Sequence, residues 1–372
     1  MRGFLVGAAG MFAAMYSTQA VLPEIGRDFG VSPSEAGLTI SVVLLAIAAS
    51  AWFWGSFSDR VGRRRAMVLA SALLVLPTVG AGLAPTFGAL LACRAAQGLC
   101  MPGLLIVGVP YVVEAFTPRI GGRAMGNYVA ALVAGGLIGR VGVALVAQWA
   151  GWRWGVGGLA VLPLAAAVVM HRSLPRLPPP ERGGGARGAL RNLALLRVTA
   201  VGAALFFTFV GTFSFVVYRL EEPPFSYGTA AGGMIFLLWL LGAVGPSAGR
   251  LVDRIGWRRT ALAAVCTQTV GLLLSLPDAL PTLVLGLGLV TVAMFAGVTA
   301  AQLGVGAAAS ADRGAASALY FTVYYSAAAL GGYVPGLAWE AWGWGGVTGA
   351  GLASLAVAAT AVSSRRPAGL RR

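Results

Sequence analysis

Long apolar runs, separated by short polar turns, fill almost the whole chain. A run of about 20 apolar residues is long enough to cross the hydrocarbon core of a bilayer as an α-helix. The pattern predicts such helices over residues 3–22, 36–57, 66–84, 87–113, 124–147, 153–171, 193–218, 229–249, 260–276, 280–306, 315–338 and 344–362. We therefore predict an all-α integral membrane protein with twelve transmembrane helices and no large domain outside the membrane.

Composition agrees with this pattern. Hydrophobic residues make up 58% of the chain and charged residues only 10%, and the mean hydropathy is +0.81. A soluble domain is about 25% charged. The lipid bilayer is therefore the expected surrounding of nearly every helix.

The sequence G-x-x-x-D-R-[VI]-G-x-R-R occurs twice, 194 residues apart, each time between two long apolar runs. This spacing predicts two pseudo-symmetric six-helix bundles: residues 1–171 and residues 193–372, the latter with a short basic tail. The segment 172–192, rich in Pro, Gly and Arg, is typical of a cytoplasmic linker. The two motif copies contribute Gly55, Asp59, Arg60, Gly62 and Arg63, and Gly249, Asp253, Arg254, Gly256 and Arg258.

All 27 basic residues are arginines, and their distribution predicts the topology. With the N-terminus in the cytoplasm, 22 of the 27 fall in cytoplasmic loops and tails, as the positive-inside rule requires. We expect a multi-pass protein of a bacterial inner (plasma) membrane with both termini cytoplasmic. The net charge of +15 is mostly a topology signal. Because the arginines are scattered over short loops, a nucleic-acid partner is not expected.

Twelve spans split six plus six, a basic central loop and the repeated turn motif together resemble the major facilitator superfamily. The R-A-A-Q-G run with Arg94, Gln97 and Gly98 is similar to another element of that family. The resemblance is closest to bacterial efflux-type, arabinose-efflux-like members. It implies a secondary active transporter that moves a small molecule by alternating access, with the turn motifs latching the cytoplasmic side.

The turn motif also has a physical interpretation of its own. Gly62 and Gly256 permit a tight reversal between helices, while Gly55 and Gly249 would let a helix end approach its neighbour closely. Asp59 and Asp253 can accept hydrogen bonds from backbone N–H groups or from a nearby arginine. These residues are expected to control conformation and not to bind substrate.

Span five carries Gly126, Gly135 and Gly139, a spacing that resembles the antiporter motif of efflux members. Small residues at such intervals allow helices to cross closely. Where that motif has proline after the last glycine, this chain has Arg140. Helix packing is therefore an interpretation that stands beside antiport.

Charged side chains inside a bilayer are costly and usually functional. The spans place only Arg94 and Arg140 deep in the membrane, and every carboxylate near a helix end or loop. Two hypotheses follow. An electropositive cavity receives an anionic or strongly polar substrate through Arg94, or Arg94 is structural or part of a proton relay in which Glu24 or Glu114 titrates.

The remaining cavity candidates come from spans that border the central site in the resembled family. They are hydrogen-bonding residues on spans one, four and ten and aromatic residues on span seven: Tyr16, Gln19, Gln97, Gln302, Phe209 and Phe213. As a set they favour an amphiphilic substrate over a small sugar.

Proton-coupled export of a small amphiphilic compound or drug is the first functional prediction. Uptake or exchange of an organic anion through an arginine-lined cavity is the alternative. A single histidine and the absence of mid-membrane acids argue against a membrane enzyme, and the intact turn motifs argue against a non-transporting sensor. We expect a monomer that needs no cofactor or metal.

Overall fold

A computed structural model describes residues 2–115, 118–175, 192–308 and 313–363, and these residues are predominantly helical. Nine helices in this part of the chain are long and apolar enough to cross a membrane, and ten if a bent pair over Thr229–Gly242 and Ser247–Ile255 counts as one span. Two further spans complete twelve. One is the helix Trp257–Leu274, whose first turn carries Arg258 and Arg259. The other follows because the long helix Arg313–Ser363 is broken at Trp342 and Gly343 and so contains two spans.

The first six spans contain ten α-helices, because several spans are interrupted. Capping fixes the start of the second span, where Ser32 and Glu35 form a reciprocal capping box. The helices are α1 (Arg2–Met15), α2 (Leu22–Phe29), α3 (Pro33–Val61), α4 (Arg63–Gly82), α5 (Phe87–Cys100), α6 (Pro102–Ala115), α7 (Pro118–Leu137), α8 (Val143–Ala150), α9 (Trp152–Gly158) and α10 (Val161–Ser173).

The last six spans follow Asn192, whose side chain caps the next helix by accepting from the Leu195 N–H. Of the predicted linker, residues 176–191 lie outside the described residues. The helices are α11 (Leu193–Glu221), α12 (Thr229–Gly233), α13 (Gly245–Ile255), α14 (Trp257–Leu274), α15 (Leu280–Ala308) and α16 (Arg313–Ser363).

The predicted twelve-helix count is confirmed, but spans one, four, five, six and eight are not continuous α-helices. Span four is interrupted at Met101, and span six is interrupted at Leu159 and Ala160. Span one ends as an α-helix at Met15, passes through a short 3₁₀ turn at Gln19–Val21 and continues to Phe29. Span five contains a π-helical turn at Ile138–Gly142. Most of span eight is a 3₁₀ helix, Met234–Val244. Hydropathy marks an apolar run but not its hydrogen-bond register, so these breaks have no signal in the apolar pattern.

The two repeated turns mark the same end of both halves, since spans two and eight run in the same direction. Gly62 and Gly256 take φ values of +88° and +83°, a backbone region that favours glycine. We call this the turn end. At the other end of α3, Ser34 contacts Glu340 of the second half. We call that the sealed end, because cross-half contacts concentrate there and at the molecular centre.

Candidate functional site

The centre of the interface between the halves is built around Arg140, which is fully buried. The π-helical turn of span five carries this residue, and such turns often occur at functional sites. Gly135 and Gly139 bring the same span against α1, because a Cβ on either glycine would collide with the backbone of Ala9 or Ala13. Close packing of glycine thus fixes the position from which Arg140 projects.

The Arg140 guanidinium has only part of its hydrogen-bonding capacity filled. Its Nε donates to Gln19 Oε1 at 2.6 Å, and its Nη1 donates to the Gly136 carbonyl at 2.9 Å. Nη2 is buried and has no hydrogen-bond partner among the described residues. Buried polar groups are nearly always paired, so an unpaired donor on a buried cation indicates a functional position.

Aromatic rings from both halves pack against the guanidinium. Its central carbon lies 3.9 Å from the ring centroid of Tyr16 and 3.7 Å from that of Trp239, with Phe236 at 5.4 Å. These distances are within the range of cation–π attraction. Tyr16 belongs to the first half, and Trp239 and Phe236 belong to the second, so both halves build the site.

Several predicted cavity residues extend this site. Gln19 accepts from Arg140 and donates through Nε2 to Ser214 Oγ at 3.0 Å, which links the two halves. Phe209 packs near Trp239 at 5.1 Å and near Phe213 at 4.8 Å between ring centroids. The structure therefore brings Tyr16, Gln19, Phe209 and Phe213 together with Arg140 in one aromatic site. We call these residues, with Phe236, Trp239 and Ser214, the central site.

Arg94 is also fully buried, but it lies within the first half and is hydrogen-bonded through every nitrogen of its guanidinium. Its Nη2 donates to the Met15 carbonyl at 2.6 Å, where α1 ends. The other acceptors are Thr39 O at 2.9 Å, Ala14 O at 2.7 Å, Ser17 Oγ at 3.2 Å and Gln97 Oε1 at 2.6 Å. Arg94 thus donates to the Met15 carbonyl, which the break in span one leaves without an intrahelical donor, and adds a further bond at the Ala14 carbonyl, which also accepts from Ser17.

Four predicted residues lie away from the central site or have side chains outside the described residues. Gln97 contacts Arg94 and Thr78 inside the first half. Gln302 is exposed near the last turns of α15. Glu114 belongs to α6, but its side chain lies outside the described residues, as do the surroundings of Gly126 in α7. The roles predicted for these four residues stay predictions.

Charged and polar groups join the halves at the sealed end. Glu24 Oε1 accepts from the Thr229 hydroxyl. Arg27 pairs with Glu221 at 2.6 Å, and the Glu340 carboxylate accepts from the Ser34 N–H at 2.8 Å. The Glu24 carboxylate therefore takes part in a contact between the halves.

Glycines bring the two backbones together at the same end. A Cβ on Gly37 would overlap the carbonyl oxygen of Gly332, and a Cβ on Gly336 would lie 2.6 Å from Ser34 Cα. Only residues without a side chain allow α3 and α16 to approach this closely. The seal is therefore a backbone contact reinforced by the polar pairs.

The turn motifs differ from expectation in one respect. At Gly55 and Gly249, no described atom lies within 4 Å of the position that a Cβ would occupy, so the close approach expected of these glycines is not made to the described residues. Asp59 lies 3.7 Å from Arg63 of its own motif. Both glycines are half-buried, and the latch role of the motif stays a prediction.

Sequence reasoning missed Trp239 and Phe236. Trp239 lies in the middle of span eight, whereas most of the tryptophans lie near span ends. This unusual position of a tryptophan in the middle of a span was the sequence signal that could have indicated a role for Trp239 in the central site. As for metal ions, no group of three or more His, Cys, Asp or Glu residues is placed to hold one in the described part of the chain.

Comparison with known proteins agrees with this architecture. The model of the Major Facilitator Superfamily matches residues 4–332. The uncharacterized MFS-type transporter YybF of Bacillus subtilis is 30% identical over 355 residues, covering 93% of this chain and 88% of that protein. The inner membrane transport protein YnfM of Escherichia coli is 29% identical, covering 95% and 87%.

Among solved structures, the chain is similar to a bacterial homolog of the human lysosomal transporter Spinster in an inward-facing and occupied conformation. The TM-score is 0.76 at 16% identity, covering 97% of this chain and 94% of the other. At this identity the likeness establishes the fold. Together with the family match over residues 4–332, it leads to one conclusion. This multi-pass membrane transporter belongs to the Major Facilitator Superfamily.

Proposed function

We propose that this transporter exports a small amphiphilic compound in exchange for protons, by alternating access through the central site. The observation that carries the proposal is the position of Glu24. It is a titratable carboxylate that accepts a hydrogen bond from Thr229 of the other half, at the end where the halves are sealed. Protonation of Glu24 removes its negative charge and weakens the bond that Oε1 accepts from the Thr229 hydroxyl, so proton binding and the cross-half contact are coupled.

The charged surroundings of Glu24 support such coupling. Arg27, Asp28 and Arg153 line the same surface cleft as Glu24. Arg27 is paired with Glu221, and Asp28 accepts from Arg153 and from Trp152 Nε1. Arg27, Asp28 and Arg153 are therefore engaged with other partners. The hydrogen bond described for Glu24 is the one that it accepts from Thr229 of the other half.

The central site supports an amphiphilic substrate. Tyr16, Phe209, Phe213 and Trp239 offer ring surfaces, and Arg140 offers hydrogen-bond donors between them. Ligand sites commonly combine an apolar lining with a few placed polar groups. A compound with an apolar body and one polar group matches this arrangement.

Under the predicted topology, the turn end faces the cytoplasm and the sealed end faces the periplasm. Cross-half contacts at the sealed end then correspond to an inward-facing conformation. The solved structure of similar fold carries that description in its own name. In alternating access the sealed end must open while the turn end closes, which is the step that the turn motifs are predicted to latch.

Uptake or exchange of an organic anion is the second candidate. The unpaired Nη2 of Arg140 favours it, since a guanidinium binds carboxylate well. Direction and coupling separate the two candidates, because an anion carried by uptake or exchange need not depend on Glu24.

Flux in everted membrane vesicles with an acidic interior tests the proposal. A lipophilic cation, a neutral amphiphile and an aromatic carboxylate are supplied side by side. We expect pH-driven accumulation of an amphiphile in the wild type and its loss in Glu24→Gln, while exchange of substrate without a gradient persists. The variant Glu222→Gln, which alters an exposed carboxylate at the same end, is the control.

Accumulation by Glu24→Gln at the wild-type rate would overturn Glu24 as the coupling group. Movement of the carboxylate alone, with no dependence on the pH gradient, would favour the second candidate over the first.

A further inference from the structure

We infer that Arg140 binds an anionic group of the substrate, of the carboxylate type, and that Trp239 covers this binding face until the halves move apart. The inference rests on the proposed function, because it names the chemical class of compound that the same central site takes. It applies equally to export and to uptake. Four observations carry it.

The first is the donor inventory of the site. A guanidinium has five N–H donors in a planar fork, and the Nη2 edge of Arg140 has no partner among the described residues although the side chain is fully buried. Trp239 Nε1, on the ring that lies against the guanidinium, is also buried and unpaired. Two unpaired donors in one aromatic site call for an acceptor, and a carboxylate supplies two acceptor oxygens.

The second is charge. The acceptors that Arg140 uses are a glutamine side chain and a backbone carbonyl, which are both neutral. Among the side chains that the structure describes, no carboxylate lies within salt-bridge distance of Arg140, and the acids seen in ion pairs lie near the helix ends. Cation–π contacts stabilise the guanidinium without neutralising it. An anion is the ligand that completes the site.

The third is the contrast with Arg94. All three nitrogens of that guanidinium donate to acceptors within the first half. Every nitrogen of the Arg94 guanidinium is thus tied to a group of the first half, whereas Nη2 of Arg140 donates to none of the described residues. The anion-binding role therefore falls to Arg140 and not to the arginine of the R-A-A-Q-G run.

The fourth is the position of the site across the interface. Arg140 belongs to the first half and Trp239 to the second, with 3.7 Å between the guanidinium carbon and the ring centroid. Movement of one half against the other separates the two groups. An aromatic or apolar carboxylate can then place its anion on Nη2 and its body against the rings of Phe209 and Trp239. Binding of the substrate and loosening of the cross-half contact become one event.

Equilibrium binding to the purified full-length protein in detergent tests this inference without transport. The probes are benzoate, 2-naphthoate and 4-phenylbutyrate, together with 2-naphthamide and 2-naphthylmethylammonium as neutral and cationic controls. Titration calorimetry gives the affinities. We expect the carboxylate that binds best to bind about tenfold or more tightly than the amide and the ammonium, because a buried hydrogen bond to a charged group is worth that factor.

Variants locate the binding group. Arg140→Gln should abolish the preference for carboxylate over amide, and Arg140→Lys should restore part of it, since a lysine keeps the charge but not the fork. Arg153→Gln removes an arginine at the sealed end and should leave the preference unchanged. Thermal unfolding of each variant shows whether it is folded, and the headgroup series on the wild type needs no variant at all.

Three results would overturn the inference: equal affinity for carboxylate and amide, an unchanged preference in folded Arg140→Gln, or no binding of any of the three carboxylates at millimolar concentration. None of these depends on a pH gradient. Binding that succeeds while vesicle flux fails would refute the proposed export and leave the anion site standing.

Discussion

Arg94 and Arg140 are both fully buried in the first half of the transporter, yet their surroundings differ in kind. Arg94 donates from every guanidinium nitrogen to groups of its own half, whereas Arg140 keeps Nη2 unpaired among the described residues and faces aromatic rings of the other half. Depth in the membrane therefore does not distinguish an arginine that holds its own half together from one that is available to bind a ligand. The number of guanidinium nitrogens that already have hydrogen-bond partners does distinguish them.

Local backbone breaks produce this difference. The end of α1 at Met15 frees carbonyl groups, and Arg94 fills their hydrogen-bonding capacity. The π-helical turn of span five places Arg140 against Trp239 of the opposite half. The break after α1 thus holds Arg94 within the first half, and the π-helical turn places Arg140 at the interface between the halves.

The largest effect is expected from Arg94→Met. The substitution removes the hydrogen bonds to the Ala14 and Thr39 carbonyls and leaves the Met15 carbonyl and Gln97 Oε1 without the donor that Arg94 provides. Each unpaired buried acceptor costs about 1–3 kcal/mol, so the free energy of unfolding should fall by several kcal/mol, on the order of 2–6. Thermal unfolding in detergent and the monodisperse fraction on size exclusion measure it.

Arg140→Met is the matched comparison for that experiment. It removes a buried charge with an unpaired donor and leaves one buried acceptor, Gln19 Oε1, without its donor, so stability should fall by about 1–3 kcal/mol at most and by less than in Arg94→Met. Equal losses of stability in the two variants would contradict the division between a framework and a binding arginine.

A smaller effect is expected from Gly37→Ala. The added methyl group would meet the Gly332 carbonyl and push the halves apart at the sealed end, at an overpacking cost of about 1–3 kcal/mol. This change should uncover the central site around Arg140 and leave Arg94 enclosed. In a background with Cys93, Cys100 and Cys266 replaced by serine, maleimide labelling of Ser214→Cys should accelerate about tenfold.

Gly55→Ala is the control, because it lies on the same helix and a Cβ there meets no described atom within 4 Å. Labelling of Ser214→Cys should be unchanged in that variant. If Gly37→Ala and Gly55→Ala accelerated the labelling of Ser214→Cys equally, the higher helix propensity of alanine, and not the contact of Gly37 with Gly332, would explain the opening of the sealed end.

The smallest effect is expected from Arg27→Gln. The Arg27 side chain is 62% exposed, and its pair with Glu221 is a surface ion pair, which contributes about 0–1 kcal/mol. The same labelling rate should rise by less than about fivefold. High salt should bring the wild type close to the variant, and adding Glu221→Gln to the variant should change nothing further.

The hydrophobic pattern predicted most of this architecture. Runs of apolar residues located the twelve spans, and the repeated turn motif located Gly62 and Gly256, whose backbone angles fit a tight reversal. Depth in a span was also enough to single out Arg94 and Arg140. These features follow from residue type and spacing, which a sequence displays directly.

The partners of those arginines could not be predicted in the same way. The acceptors of Arg94 include backbone carbonyls of Ala14, Met15 and Thr39, which every residue type possesses. The cover of Arg140 comes from Trp239, in the other half of the chain.

Glycine contacts show the same limit. The close approach expected of Gly55 is not made to any described atom within 4 Å, whereas Gly37 makes such an approach. Which glycine touches a neighbour depends on how the halves are tilted, and a sequence does not contain the tilt.

The contact between Gly37 and Gly332 gives α3 the mechanical properties of a lever. Gly37 lies in the second turn of this 29-residue helix, and the Gly62 turn lies about 36 Å further along it at 1.5 Å per residue. If the glycine contact serves as the fulcrum, a rotation of roughly 10° moves the far end by about 6 Å over that length. Such a displacement is about the width of an aromatic ring, so a contact that barely slides at one end can open a passage for a substrate at the other.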